Sequence, residues 1–176
     1  MNTTEELNYQ INVNKHHMLA DTLTPVGVYL QLRDLYPQSI LLESSDYHGH
    51  QNSTSYICCN PIATIRVVDD ALQMVYPDGT SVTKPIPAKE ELTASLQDFM
   101  NTFQVVDDIK SGLFGYMTYE MVQYFETIDL DNSPEIPIMS YSLYQFVIEI
   151  DHFSDTIEVR EYSFEGKESE LKLFIG

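Results

Sequence analysis

Tyr141-Ser142-Leu143-Tyr144-Gln145-Phe146-Val147-Ile148-Glu149-Ile150-Asp151, followed by His152-Phe153-Ser154-Asp155 and then Thr156-Ile157-Glu158-Val159-Arg160-Glu161-Tyr162, decides the fold. Phe146, Ile148 and Ile150 alternate with Gln145 and Glu149, the period-two pattern of a half-buried strand. The polar residues 152–155 turn the chain, and residues 156–162 return as the hairpin partner. Working outward, residues 62–68 alternate in the same way, with Ile62, Thr64 and Arg66 opposite Ala63, Ile65 and Val67. Pro77-Asp78-Gly79-Thr80 is a hairpin turn between strands at 71–76 and 81–84. Residues 54–59 read as a separate strand that Asn60-Pro61 punctuates. The apolar-to-polar run 39–45 reads as a buried strand emerging at a sheet edge, and a short strand at 9–13 and another at 111–116 complete the set.

Helices separate these hairpins. Thr24 and Pro25 are suited to the N-cap and first helical position, and Val28, Leu32 and Leu35 follow at helical spacing before Tyr36-Pro37 stops the run. Leu92, Leu96, Phe99, Met100 and Phe103 form one apolar stripe. Residues 118–125 and the terminal stretch 167–176 read as two more helices. The pattern predicts an α+β fold, mainly antiparallel sheets packed together with flanking helices, in a single domain over residues 1–176.

The chain of 176 residues is 43% hydrophobic and 11% aromatic, with 12 Tyr and 8 Phe, enough for a substantial core. Its formal net charge of -18 argues against nucleic acid and against an anionic membrane surface, since both need clustered Lys and Arg. Residues 1–10 are polar and acidic, without the apolar core of a signal peptide, and no apolar run nears the roughly 20 residues of a membrane span. Cys58 and Cys59 are adjacent and poorly placed to pair with each other. The expected compartment is the cytoplasm, with both thiols reduced.

Chemistry-bearing patterns are sparse. His16-His17 and His48-Gly49-His50 lack the Cys or carboxylate spacing of a metal site, so no metal ligand is expected here. Gly112-Leu113-Phe114-Gly115 lacks the remaining features of a dinucleotide fingerprint, and close backbone packing explains it better. No nucleophile elbow is present. Glu43 is the informative position, because on a regular strand it shares a face with Leu41, so a carboxylate continues an apolar face. It is either an exposed strand end or a site for a ligand ammonium group.

Four stretches, in order, resemble the large subunit of anthranilate synthase (component I), a chorismate-utilising family. They are Ser39-Ile40-Leu41-Leu42-Glu43-Ser44, like the family's Leu-Leu-Glu-Ser element; Ser55-Tyr56-Ile57-Cys58-Cys59-Asn60-Pro61; Gly112-Leu113-Phe114-Gly115-Tyr116-Met117-Thr118-Tyr119-Glu120 with the later Tyr124-Phe125-Glu126; and Ile150-Asp151-His152. Cys58 stands where the family usually has Gly, and Asn52-Ser53-Thr54 lacks its common Gly-Arg pair.

The resemblance implies an enzyme, a lyase, that converts chorismate and glutamine-derived ammonia to anthranilate and pyruvate in tryptophan biosynthesis, using Mg2+. The family's catalytic and metal-binding residues lie in a C-terminal half, so the resemblance implies no catalytic residue and no metal ligand in this chain. The chain would be the N-terminal regulatory domain, ending before that half, with an apolar seam prone to self-association. The feedback pocket for tryptophan would map to Leu42, Glu43 and Ser44, with Thr54 and Ser55 beside it. Strand alternation points Glu43 and Ser44 to opposite faces, so at least one contact is expected through the main chain. Implied partners are tryptophan, the glutamine amidotransferase subunit (component II) and the chain's own C-terminal catalytic domain. Two alternatives remain: the N-terminal part of aminodeoxychorismate synthase component I, and a stand-alone amino-acid sensor. A scaffold that binds only a protein partner is a third.

Overall fold

The computed structural model describes residues 7–43, 53–86, 89–106, 111–128, 130, 135–164 and 166–175. In chain order the elements are β1 (Tyr9–Leu19), α1 (Pro25–Leu32), β2 (Ile40–Leu42), β3 (Thr54–Val68), β4 (Ala71–Val75), β5 (Ser81–Pro85), α2 (Lys89–Asn101), β6 (Phe103–Val105), β7 (Phe114–Met117), a 3-10 helix (Tyr119–Tyr124), β8 (Met139–Asp151), β9 (Thr156–Phe164) and α3 (Leu171–Ile175). The pairs β1–β9, β2–β3, β3–β4, β4–β5, β7–β8 and β8–β9 are antiparallel, in keeping with the mainly antiparallel sheet expected from the sequence. Two compact units emerge: Met1–Gln10 with Ile62–Leu143, and Ile11–Pro61 with Tyr144–Gly176. β3 and β8 each contribute residues to both.

In the second unit the strands follow the order β2-β3-β8-β9-β1. The hairpin quoted at the outset forms as read, with Ile148 opposite Val159 and Ile150 opposite Ile157. Those residues, with Ile57, Cys59, Phe146 and Leu171, make the core, against which Val28, Tyr29 and Leu32 of α1 and Phe174 of α3 pack. Phe174 stacks on Phe146 with ring centroids 4.0 Å apart. Thr24 caps α1, its Oγ1 accepting the Gly27 N–H at 3.0 Å with Pro25 in the first turn; such a cap contributes about 1 kcal/mol. The helix closes at Leu32, before the Tyr36-Pro37 stop, so Leu35 falls off its apolar face and is 73% exposed.

Two strand expectations need correction. β1 runs 11 residues rather than stopping at Val13, because β9 pairs with it from Ile11 through Leu19. Backbone pairing holds Lys15, His16 and His17 in the strand where apolar periodicity fails, as charged edge strands commonly do. β3 is one strand of 15 residues, not two. Asn60 takes φ 58, a left-handed conformation that asparagine tolerates, so the chain passes Asn60-Pro61 without leaving the sheet. Cys58 and Cys59 lie on β3, free and fully buried. Burial raises both thiols, Cys59 to about 12.

In the first unit the order is β5-β4-β3-β8-β7. The β4–β5 turn forms as predicted: Gly79 takes φ 85, and Asp78 Oδ1 accepts the Thr80 N–H at 2.8 Å. Leu92, Ser95 and Phe99 form the buried stripe of α2. Met100 is 40% exposed, and Phe103 has already entered β6. Phe99, Phe103, Tyr76 and Tyr9 form an aromatic cluster with neighbouring centroids 5.1–6.4 Å apart. Residues 119–124 coil as a 3-10 helix; Thr118 makes no side-chain capping bond there. Gly115 lies so close to β8 that an added Cβ would sit 1.9 Å from the Ser140 carbonyl oxygen, as the close-packing reading expected, whereas a Cβ on Gly112 would meet nothing within 4 Å, so that reading does not hold there. No described helix is long and apolar enough to cross a membrane.

Candidate functional site

The candidate residues converge where β2 meets the start of β3, inside the second unit. Leu42 pairs with Tyr56, the last of the pairs Ile40↔Cys58, Leu41↔Ile57 and Leu42↔Tyr56. Glu43 is therefore the next residue past β2, while Ser55 and Thr54 are the next positions back along β3. Four of the sequence-predicted positions come together in this way. Ser44 lies outside the described residues, as do His48 and His50.

Their environments differ. Leu42 is 38% exposed and Glu43 is exposed, so this carboxylate sits at a solvated strand end rather than on an apolar face. β2 is only three residues long, and Glu43 lies beyond it, where pleat alternation no longer dictates its direction. Thr54 is half-buried. Ser55 is 1% exposed, and its Oγ lies 2.8 Å from Nε2 of His152.

His152 is the residue that sequence reasoning missed here. It stood in the Ile150-Asp151-His152 motif, but nothing local assigned it a partner. It opens the β8–β9 turn, and its backbone N–H also donates to the Ser53 carbonyl at 3.0 Å. Asp151 builds the turn itself, since its Oδ1 accepts N–H bonds from Phe153 at 2.8 Å and Ser154 at 3.2 Å. Those N–H groups, Phe153 first, hold the Asp151 carboxyl below its ordinary value. Because the folded-state value is depressed, the stabilisation is present above the unfolded pKa of about 3.9 and fades as pH falls through the lower folded value. Asp151→Asn should therefore flatten the loss of stability between about pH 5 and pH 2. Urea midpoints measured across that range check it, and parallel curves for the two proteins would refute it.

A second carboxylate was also missed. Glu161 is fully buried on the face that carries Ile157 and Val159. It accepts bonds from Asn14 Nδ2 at 3.2 Å, Gln145 Nε2 at 3.5 Å, Ser169 Oγ at 2.5 Å and the Glu170 N–H at 2.7 Å. On the opposite face, Arg160 bridges Glu149, at 2.6 Å, and Glu158, which faces Glu149 directly across the hairpin. His17 reaches Glu158 at 3.1 Å. The first unit holds a separate cleft of about 450 Å3 that includes Asp69, Asp70, Glu135 and Tyr124. There the Tyr124 hydroxyl donates to Asp70 at 2.6 Å; burial and that carboxylate push the phenol up to about 12.

Chemically, the β2–β3 corner presents an exposed carboxylate, an apolar side chain and hydroxyl-bearing residues, a set suited to binding. The Ser55 hydroxyl is too deeply buried to act as a nucleophile. Among the described residues no group of three or more His, Cys, Asp or Glu side chains gathers to hold a metal ion.

No family model matches the chain. It is similar to curated proteins named anthranilate synthase component 1. The protein from Lactococcus lactis is 28% identical over 156 residues, covering 88% of this chain and 33% of the relative. The Thermus thermophilus protein is 26% identical over 161 residues, with 89% and 33% covered, and the Aquifex aeolicus protein 25% over 148 residues, with 81% and 29% covered. A solved structure of anthranilate synthase component I from Streptococcus pneumoniae aligns with TM-score 0.47 and 20% identity, covering 92% of this chain and 35% of that one. The chain thus spans about a third of the length of the curated relatives it matches. The resemblance read from the four motifs is borne out, and over most of its length this chain is homologous to anthranilate synthase component I.

Proposed function

We propose that this chain is the N-terminal, tryptophan-sensing part of an anthranilate synthase component I. The whole enzyme would convert chorismate and glutamine-derived ammonia to anthranilate and pyruvate, with Mg2+ and the catalytic residues held by a part outside this chain. The chain alone would be inactive. Its partners would be tryptophan, the amidotransferase subunit (component II) and the catalytic domain. The observation that carries the reading is the β2–β3 register, which sets Leu42 and Glu43 beside Thr54 and Ser55. The similarity to named component I proteins supports it.

In this reading Glu43, with Ser44, receives the ligand ammonium, and Leu42 offers apolar surface to the indole. A charge-assisted hydrogen bond contributes about 1.5–3 kcal/mol. Feedback follows as linkage: tryptophan and chorismate favour different arrangements of the enzyme, coupled by about 1–3 kcal/mol.

The test uses the intact gene product with chorismate, Mg2+ and ammonium. Anthranilate should form, tryptophan should suppress it, and Glu43→Ala or Ser44→Ala should raise the half-inhibiting concentration roughly tenfold or more. Aminodeoxychorismate as the product would assign the chain to the sister enzyme. Tryptophan binding without any turnover would favour a stand-alone sensor.

A further inference from the structure

We infer that His152 is a positioning residue for the effector site proposed above, and the inference rests on that reading. Two bonds tie the β8–β9 turn to the first residues of β3. The His152 backbone N–H reaches the Ser53 carbonyl at 3.0 Å, and the imidazole Nε2 reaches the Ser55 hydroxyl at 2.8 Å. They bracket Thr54 from either side. The turn that carries His152 is itself fixed, because Asp151 Oδ1 accepts the N–H groups of Phe153 and Ser154, and Asp151 pairs with Thr156 across the hairpin. Rigidity is thus passed from a closed turn to the segment beside Glu43.

The need for such an anchor follows from the edge. Among the described residues β2 makes its last pair at Leu42↔Tyr56, so on that side the ladder stops before Ser55. A strand end lacking pairing on one side frays unless another bond holds it. The imidazole supplies that bond. It touches Ser55 rather than the ligand, so its part is to hold β3 in place while Leu42 and Glu43 meet the amino acid. Alanine and glutamine both keep the backbone N–H that bonds Ser53, so these side-chain variants isolate the Nε2 bond.

The test compares His152→Ala and His152→Gln in the intact gene product, reading turnover of chorismate and its suppression by tryptophan separately. Loss of one ordering hydrogen bond should raise the half-inhibiting tryptophan concentration about tenfold in His152→Ala. Glutamine, whose Nε2 can occupy the same place, should restore most of the sensitivity. Sensitivity and turnover falling together in both variants would mark a general structural role and overturn the inference. Equal sensitivity of wild type and His152→Ala would overturn it while leaving the effector site intact. A wild-type enzyme indifferent to tryptophan would remove the effector reading and this inference with it. A separate measurement addresses the clamp itself: the His152 Nε2 resonance in nitrogen-15 spectra of this chain should move in Ser55→Ala, and an unmoved resonance overturns the clamp whatever tryptophan does.

Discussion

Replacing Gly115 with alanine is expected to destabilise the protein by about 3 kcal/mol or more, beyond the roughly 1–3 kcal/mol of ordinary overpacking. The new Cβ would lie 1.9 Å from the Ser140 carbonyl oxygen, 2.7 Å from the Tyr141 Cα and 2.8 Å from the Ser140 carbonyl carbon. All three are backbone atoms, so no side-chain rotation relieves the clash. β7 would have to lift from β8, loosening the pairs Phe114↔Ser142, Gly115↔Tyr141, Tyr116↔Ser140 and Met117↔Met139. Gly112 supplies the control, because a Cβ there meets nothing within 4 Å, and Gly112→Ala should change stability by less than about 0.5 kcal/mol. Urea midpoints at constant slope measure both. Equal midpoints for the two variants would mean that β7 is not held as closely as the structure places it.

Truncating Glu161 should also be costly, by about 2–3 kcal/mol, for the opposite reason: it removes an acceptor instead of adding bulk. A buried carboxylate is tolerable only when hydrogen bonds replace its water. Glu161 gathers the Asn14 and Gln145 amides, the Ser169 hydroxyl and the Glu170 N–H. Glu161→Ala removes the acceptor these four groups share, and the exposed Asn14, Ser169 and Glu170 would have to turn to water instead. The Ser169–Glu170 bonds also hold the chain at the start of α3, whose Leu171 and Phe174 cover the core of the second unit. Hydrogen exchange should therefore show α3 losing protection first, with the global midpoint falling as well. Glu161→Gln keeps the volume but turns an N–H2 toward donors, so an intermediate loss is expected. A Glu161→Ala variant within about 1 kcal/mol of wild type would show that this network contributes little.

At Glu43 an acidic residue continues the row begun by Leu41, and at Glu161 another continues the row Ile157 and Val159. Both patterns are written in the sequence and both admit a buried charge. Only the structure separates them. β2 ends at Leu42, so Glu43 meets solvent, while β9 continues to Phe164 and carries Glu161 beneath the start of α3. The donors that make the second burial possible come from positions up to 147 residues away in the chain, beyond the reach of any local pattern.

What the sequence by itself determined was whatever depends on near neighbours. Alternation along residues 141–162 set the central hairpin, Thr24-Pro25 set the start of α1, and Asp78-Gly79 set the β4–β5 turn, because steric fit and capping act over a few residues. The order of the four motifs carried the family resemblance. What only the tertiary structure decided was whatever depends on pairing across distance. The length of β1 comes from β9, and the continuity of β3 through Asn60 comes from its neighbours in the sheet. The pinning of Ser55 comes from a histidine 97 positions further along the chain. In each case backbone or side-chain bonds to remote partners overrode a local preference, and those bonds exist only once the sheet has formed.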